Sequence, residues 1–115
     1  MKIKKIRQMM KTLSDDTRIR VINLLNKEEL SVTEICEILD VQQSNLSKHL
    51  GRLRLTGFVN DNREGFNVYY SLVTPDHGAH RNLIEAITVG LADDDILEQD
   101  LKKMKEVLAI SRASE

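Results

Sequence analysis

The sequence is poor in the residues on which several protein classes depend. It has one cysteine, Cys36, which excludes an intramolecular disulfide and a multi-cysteine metal site within one subunit. It has no tryptophan, and aromatic residues make up only 3% of its 115 positions. The core must therefore be built from leucine, isoleucine, valine and methionine, which favours packed helices over a sandwich of strands. No run approaches the roughly 18 apolar residues of a membrane span. The basic start, Met1 to Arg7, is followed by no apolar stretch and no small-residue cleavage site, so a cytoplasmic location without a membrane partner is expected. There is no glycine-rich phosphate loop, no Cys/His/Asp set with triad logic and no pair of carboxylates around a suggested cleft. A protein that is not an enzyme is expected.

The net charge of -1 conceals a gradient. Residues 1–20 carry seven Lys/Arg against two Asp. Residues 42–63 carry Lys48, Arg52, Arg54 and Arg63 against Asp61 alone, whereas residues 93–100 hold five acids and no base. A local basic surface, rather than whole-chain pI, is what nucleic acid responds to.

Hydrophobic spacing predicts a helix over 3–12 and a second one that ends near Asn26, capped at its start by Ser14 or Asp15. Ser31-Val32-Thr33-Glu34 has the form of a capping box, opening a helix that stops at Asp40. After a short turn another helix begins near Gln42, with Leu46, Leu50 and Leu53 inward and Gly57 placed to end it. Residues 58–72 change period and predict a β-hairpin, with Asn60 to Gly65 as its polar turn. Beyond Pro75, the only proline, the helical period returns through Ile110, and the acids at 93–95 suit a helix start.

Two short helices joined by a tight turn and followed by a hairpin make a winged helix-turn-helix. The expected fold is mainly α with a small β-hairpin. One domain spans 1–115, with the helix-turn-helix at 31–56 and the β wing at 58–72. Dimerisation helices are expected at 1–13 and 77–110.

B-DNA has a major groove about 12 Å wide that admits one helix. The face opposite the three leucines carries Gln43, Ser44, Asn45, Ser47, Lys48 and Arg52. Gln43, Ser44 and Ser47 are the expected base readers, supported by Gln42 and Asn45, because the start of such a helix enters deepest. Lys48 and Arg52 suit phosphate, and His49 is a DNA or packing residue. On the hairpin, Asn62, Arg63 and Asn67 are candidates for the adjacent minor groove or backbone.

The chain resembles the ArsR/SmtB repressors in four consecutive motifs. They are Leu13-Ser14-Asp15-Asp16-Thr17-Arg18-Ile19-Arg20-Val21-Ile22-Asn23-Leu24-Leu25, Glu29 to Ile35, Gln43-Ser44-Asn45-Leu46-Ser47-Lys48-His49-Leu50-Gly51-Arg52-Leu53, and Gly65-Phe66-Asn67-Val68-Tyr69-Tyr70-Ser71-Leu72. Asp16 stands where that family commonly has proline. The resemblance implies a homodimer held by its first and last helices, bound to double-stranded operator DNA and released by an inducer. A two-fold dimer reads a near-palindrome with half-sites about one helical turn apart.

Soft-metal sensors of the family use a cysteine pair where this chain has Ser31 and Thr33, so that site is expected to be absent. Cys36 falls on an apolar face and is expected in the core. Zinc and nickel relatives use Asp and His after the wing, which makes Asp76, His77 and His80 candidate ligands, with Glu85 of the partner subunit as a guess at completion. No histidine follows His80, so the set falls short of the four ligands zinc prefers, and no cofactor is expected. Two other readings stay open: a winged-helix interaction module without sequence-specific DNA binding, and a Zn/Ni sensor with a non-standard site.

Overall fold

The computed structural model describes residues 1–113. The chain runs through α1 (Ile3–Thr12), α2 (Asp16–Leu25), β1 (Leu30–Ser31), α3 (Val32–Leu39) and α4 (Gln43–Leu55). It continues through β2 (Val59–Glu64), β3 (Asn67–Leu72), α5 (Ala79–Thr88) and α6 (Asp95–Ser111).

The local signals read from the sequence operate at the helix ends. Asp15 caps α2 by accepting from the Arg18 backbone N–H at 3.0 Å. The capping box of α3 is complete: Ser31 Oγ accepts from the Glu34 N–H at 3.1 Å, and Glu34 Oε1 accepts from the Ser31 N–H at 2.9 Å. Helix α4 ends in a Schellman motif at Gly57, whose φ is +84°. There the Phe58 N–H reaches the Leu53 carbonyl at 2.9 Å and the Gly57 N–H reaches that of Arg54 at 3.1 Å. Asp94 caps α6 through the Leu97 N–H at 3.0 Å, so the acidic run starts a helix as its charge suggests.

Leucine, isoleucine, valine and methionine do form the core. Val21, Ile22, Leu24, Ile35, Leu46, Leu50 and Leu53 are essentially without solvent contact, and Phe58 is the one aromatic among the fully buried side chains. A three-stranded antiparallel sheet in the order β1-β3-β2 closes one side.

The structure departs from the sequence reading in two places. The polar run 60–64 is not a turn but most of β2, paired antiparallel from Val59↔Leu72 to Glu64↔Asn67. Its residues are exposed on both faces, so no apolar alternation marks them, while the backbone ladder forms regardless of side-chain polarity. The turn is only Gly65-Phe66. Gly65 has φ +62° and Phe66 does not have positive φ, the pattern of a type II′ hairpin. Strand β1 was not anticipated. Two residues are too few to show a period, and it exists because Leu30 and Ser31 lie opposite Tyr70 and Tyr69.

The C-terminal end follows the sequence reading, in which the acids at 93–95 start a helix. The helical region after Pro75 divides into α5 and α6, and α6 packs on α2 and α3 of its own chain. Arg20 forms a bidentate ion pair with the buried Asp100 (2.8 and 2.9 Å), and Asn23 Nδ2 donates to the Leu97 carbonyl at 3.3 Å. At the far end of α6, Ser111 Oγ donates to Glu34 Oε2 at 2.6 Å, and Arg112 donates to both Glu34 oxygens at 3.2 Å. Part of the apolar surface of α6 is thus used within the protomer, while Ile96 and Ile110 stay exposed. Helix α1 keeps an open stripe, with Ile3 and Met10 exposed while Met9 and Thr12 are buried.

Candidate nucleic-acid interface

Helices α3 and α4 are joined by Asp40, Val41 and Gln42. Asp40 takes the left-handed conformation (φ 52°, ψ 54°), tolerable for aspartate, and lets the chain reverse at once. Leu46, Leu50 and Leu53 then fix α4 in rotation, with each at most 1% exposed. That fixes the opposite face as well. Gln42, Gln43, Ser44, Asn45, Ser47, Lys48 and Arg52 are all exposed. Among the described residues, the side chains of these seven make no hydrogen bond or ion pair within the protein. Their donors and acceptors are open to an external partner.

His49 is the exception on α4. It is half-buried, and its Nδ1 accepts from Arg18 Nη1 at 3.2 Å and lies 3.7 Å from Asp15 Oδ1. Arg18 Nε also donates to the Thr12 carbonyl at 2.6 Å. Arg18 and His49 therefore tie the end of α1 and the start of α2 to the back of α4. His49, expected as a DNA or packing residue, contacts Arg18 and lies near Asp15, and Arg18 is a brace the sequence reading did not single out.

The hairpin is anchored by buried Phe58 and Val59 and leaves the core beyond them, with residues 60–67 all exposed. Arg54 on the last turn of α4 approaches Asp61 of β2 at 3.9 Å, linking that helix to the base of the hairpin. The Tyr70 hydroxyl is pushed up by burial and by Asp61. Arg63 and Asn67 are exposed and make no side-chain hydrogen bond or ion pair among the described residues, and Asn62 Nδ2 reaches only Glu64 Oε1, at 3.3 Å. Phe66, between these polar neighbours, is fully exposed.

Residues 15–61 match the family described as "Bacterial regulatory protein, arsR family". The chain is 33% identical over 79 residues to the transcriptional activator HlyU of Vibrio cholerae, covering 69% of this chain and 73% of that protein. A solved structure of HlyU matches with a TM-score of 0.68 and 31% identity, covering 76% of this chain and 92% of that one. The chain belongs to the arsR family. It is also 38% identical over 84 residues to the arsenic resistance transcriptional regulator ArsR1 of Pseudomonas putida, covering 72% of this chain and 62%, under two thirds, of that protein's length. A homodimeric winged helix-turn-helix DNA-binding domain from Mycobacterium bovis matches with a TM-score of 0.67 and 25% identity, covering 84% of each chain.

The metal positions considered for an arsR-family chain are not assembled here. Helix α5 starts at Ala79 with Gly78 as its N-cap, so His77 precedes the helix and shares no helical face with His80. Asp76 and His77 are exposed. His80 Nε2–H donates to the Thr56 carbonyl at 2.9 Å, and its ring lies against Phe58 (centroids 5.1 Å apart). Glu85 is engaged by Arg81 at 2.8 Å. Among the described residues no group of three His, Cys, Asp or Glu could hold a metal ion. Cys36 packs against the core, partly buried, and burial pushes its thiol up, away from the reactive thiolate. No helix among the described residues is long and apolar enough to cross a membrane.

Proposed function

We propose that this chain is a dimeric, sequence-specific transcriptional regulator that acts in the cytoplasm, inserts α4 into the major groove of operator DNA and performs no catalysis. The observation that carries this reading is the exposed face of α4. Seven polar or basic side chains there have no partner among the described residues, on a helix whose opposite face is three buried leucines. A polar face of that length matches what one major groove can contact. Gln43, Ser44 and Ser47 are the base readers, Gln42 and Asn45 support them, and Lys48 and Arg52 contact phosphate. Asn62, Arg63 and Asn67 meet the DNA from the wing. His49 positions α4 from behind instead of contacting DNA.

The two-fold partner is a second copy joined through α1 and the helices of residues 77–110, where Ile3, Met10, Ile96 and Ile110 remain exposed. The relatives' printed names include both an arsenic resistance regulator and an activator. Repression is the sign we favour, with an effector that releases the protein from DNA. The geometry gives no support to zinc or nickel at Asp76, His77 and His80.

The test is a mobility shift on the protein's own promoter region with random competitor DNA, with and without zinc and nickel. A specific shift indifferent to metal is expected. Specific binding abolished by metal would restore the metal-sensor reading, and absence of specific binding would favour an interaction module.

A further inference from the structure

The type II′ turn requires glycine at Gly65 but nothing in particular at the next position. Phe66 is therefore not demanded by the hairpin. Of the four aromatic side chains, Phe58 is buried and Tyr69 and Tyr70 are half-buried, while Phe66 has no cover at all. It stands at the end of six paired residues, about 20 Å from the root of the wing at a rise of roughly 3.3 Å per residue. Half a turn of B-DNA is about 17 Å. A wing rooted beside α4 by Arg54 and Asp61 is thus long enough to bring its tip to the minor groove next to the major groove that α4 occupies. Arg63, exposed and without a partner among the described residues, lies three positions before the aromatic ring and suits the flanking phosphates.

We propose that Phe66 is an apolar wedge that enters this minor groove and partly unstacks one base step. The inference rests on the DNA-binding reading above. Apolar side chains inserted between base steps are a recognised way to read and bend the minor groove. The wedge gives specificity without a hydrogen bond, because pyrimidine–purine steps open more easily than others. Sites preferred by this protein should therefore carry TA or CA/TG at the wing position.

The test uses duplexes that the wild-type protein selects from a random-sequence pool, with 2-aminopurine replacing adenine at the wing step. Wild type, Phe66→Ala, Phe66→Leu and Arg63→Ala are titrated at several salt concentrations. Phe66→Ala should bind about tenfold more weakly with an unchanged salt slope. Phe66→Leu should keep part of the affinity, and Arg63→Ala should lower the slope by about one. The 2-aminopurine should brighten with wild type and stay quenched with Phe66→Ala.

Equal affinity and equal fluorescence of Phe66→Ala and wild type on a selected duplex would overturn the wedge and leave DNA binding standing. If the wild type enriches no sequence, both fall. If Phe66→Ala weakens self-association and affects DNA only in proportion, Phe66 is a contact between copies and the wedge is wrong. Matching circular dichroism melts of the variants would show that none of these results reflects unfolding.

Discussion

At Arg52 and Gln43 two kinds of contact are separable by experiment. Arg52 is exposed and unpaired among the described residues, so Arg52→Ala should weaken binding to all DNA and reduce the salt slope by about one. Gln43→Ala should relax preference at one base pair, removing about 1–3 kcal/mol of discrimination there, as read by competition between single-base variants of the operator. Gly57 tests the end of the same helix. Its φ of +84° disfavours any side chain, and an added Cβ would come within 2.9 Å of His80 Nε2. Gly57→Ala should lower thermal stability by about 1–2 kcal/mol or more, checked by a circular dichroism melt. These residues were legible because short-range rules fix them: Gly57 ends a predicted helix, and three leucines define which side of α4 faces out. His49 was ambiguous because its environment, Asp15 and Arg18, is more than 30 residues away in sequence.

Among the elements, α3 depends on a carboxylate that serves two masters. Burial alone would push the Glu34 carboxyl up. Hydrogen bonds from Arg112, Ser111 and the Ser31 backbone, with the Arg112 charge, outweigh it and hold the carboxyl below its ordinary value of 4.5. A group whose folded value is depressed contributes its full stability above the unfolded value and loses it as pH falls through the folded one. Glu34→Gln should therefore destabilise the protein by about 1–3 kcal/mol at neutral pH. The difference from wild type should shrink on acidification below 4.5 and vanish below the folded value, as urea midpoints across pH would report. The capping half of this arrangement is a three-residue pattern, visible in the sequence. The other half joins residues 77 and 78 positions apart, and no local pattern announces that. The same holds for β1, whose pairing partners are Tyr69 and Tyr70, and for the wing, where backbone pairing overrides the turn-forming composition of 60–64.

For the whole molecule, the decisive question is which apolar surface meets a second copy. Helix α1 presents Ile3 and Met10 seven residues apart, on one helical face. Replacing both, as Ile3→Glu with Met10→Glu, should shift the protein towards monomer in sedimentation and weaken operator binding, because one half-site alone remains per particle. The terminal helices read alike in the sequence, as apolar stripes of similar spacing. Both keep exposed apolar residues, Ile3 and Met10 on α1 and Ile96 and Ile110 on α6, but buried Asp100 and Glu34 also hold α6 against α2 and α3. This arrangement also orders events in time. Chains emerge from the ribosome N-terminus first, at about 5–20 residues per second, and a domain folds as a unit. The side of α2 and α3 that α6 covers is made some 60 to 80 residues before its cover. For several seconds a nascent chain thus exposes the apolar residues of α2 and α3 that α6 will cover. Until α6 emerges, those residues face neighbouring nascent chains, so synthesis is a stage at which association competes with folding.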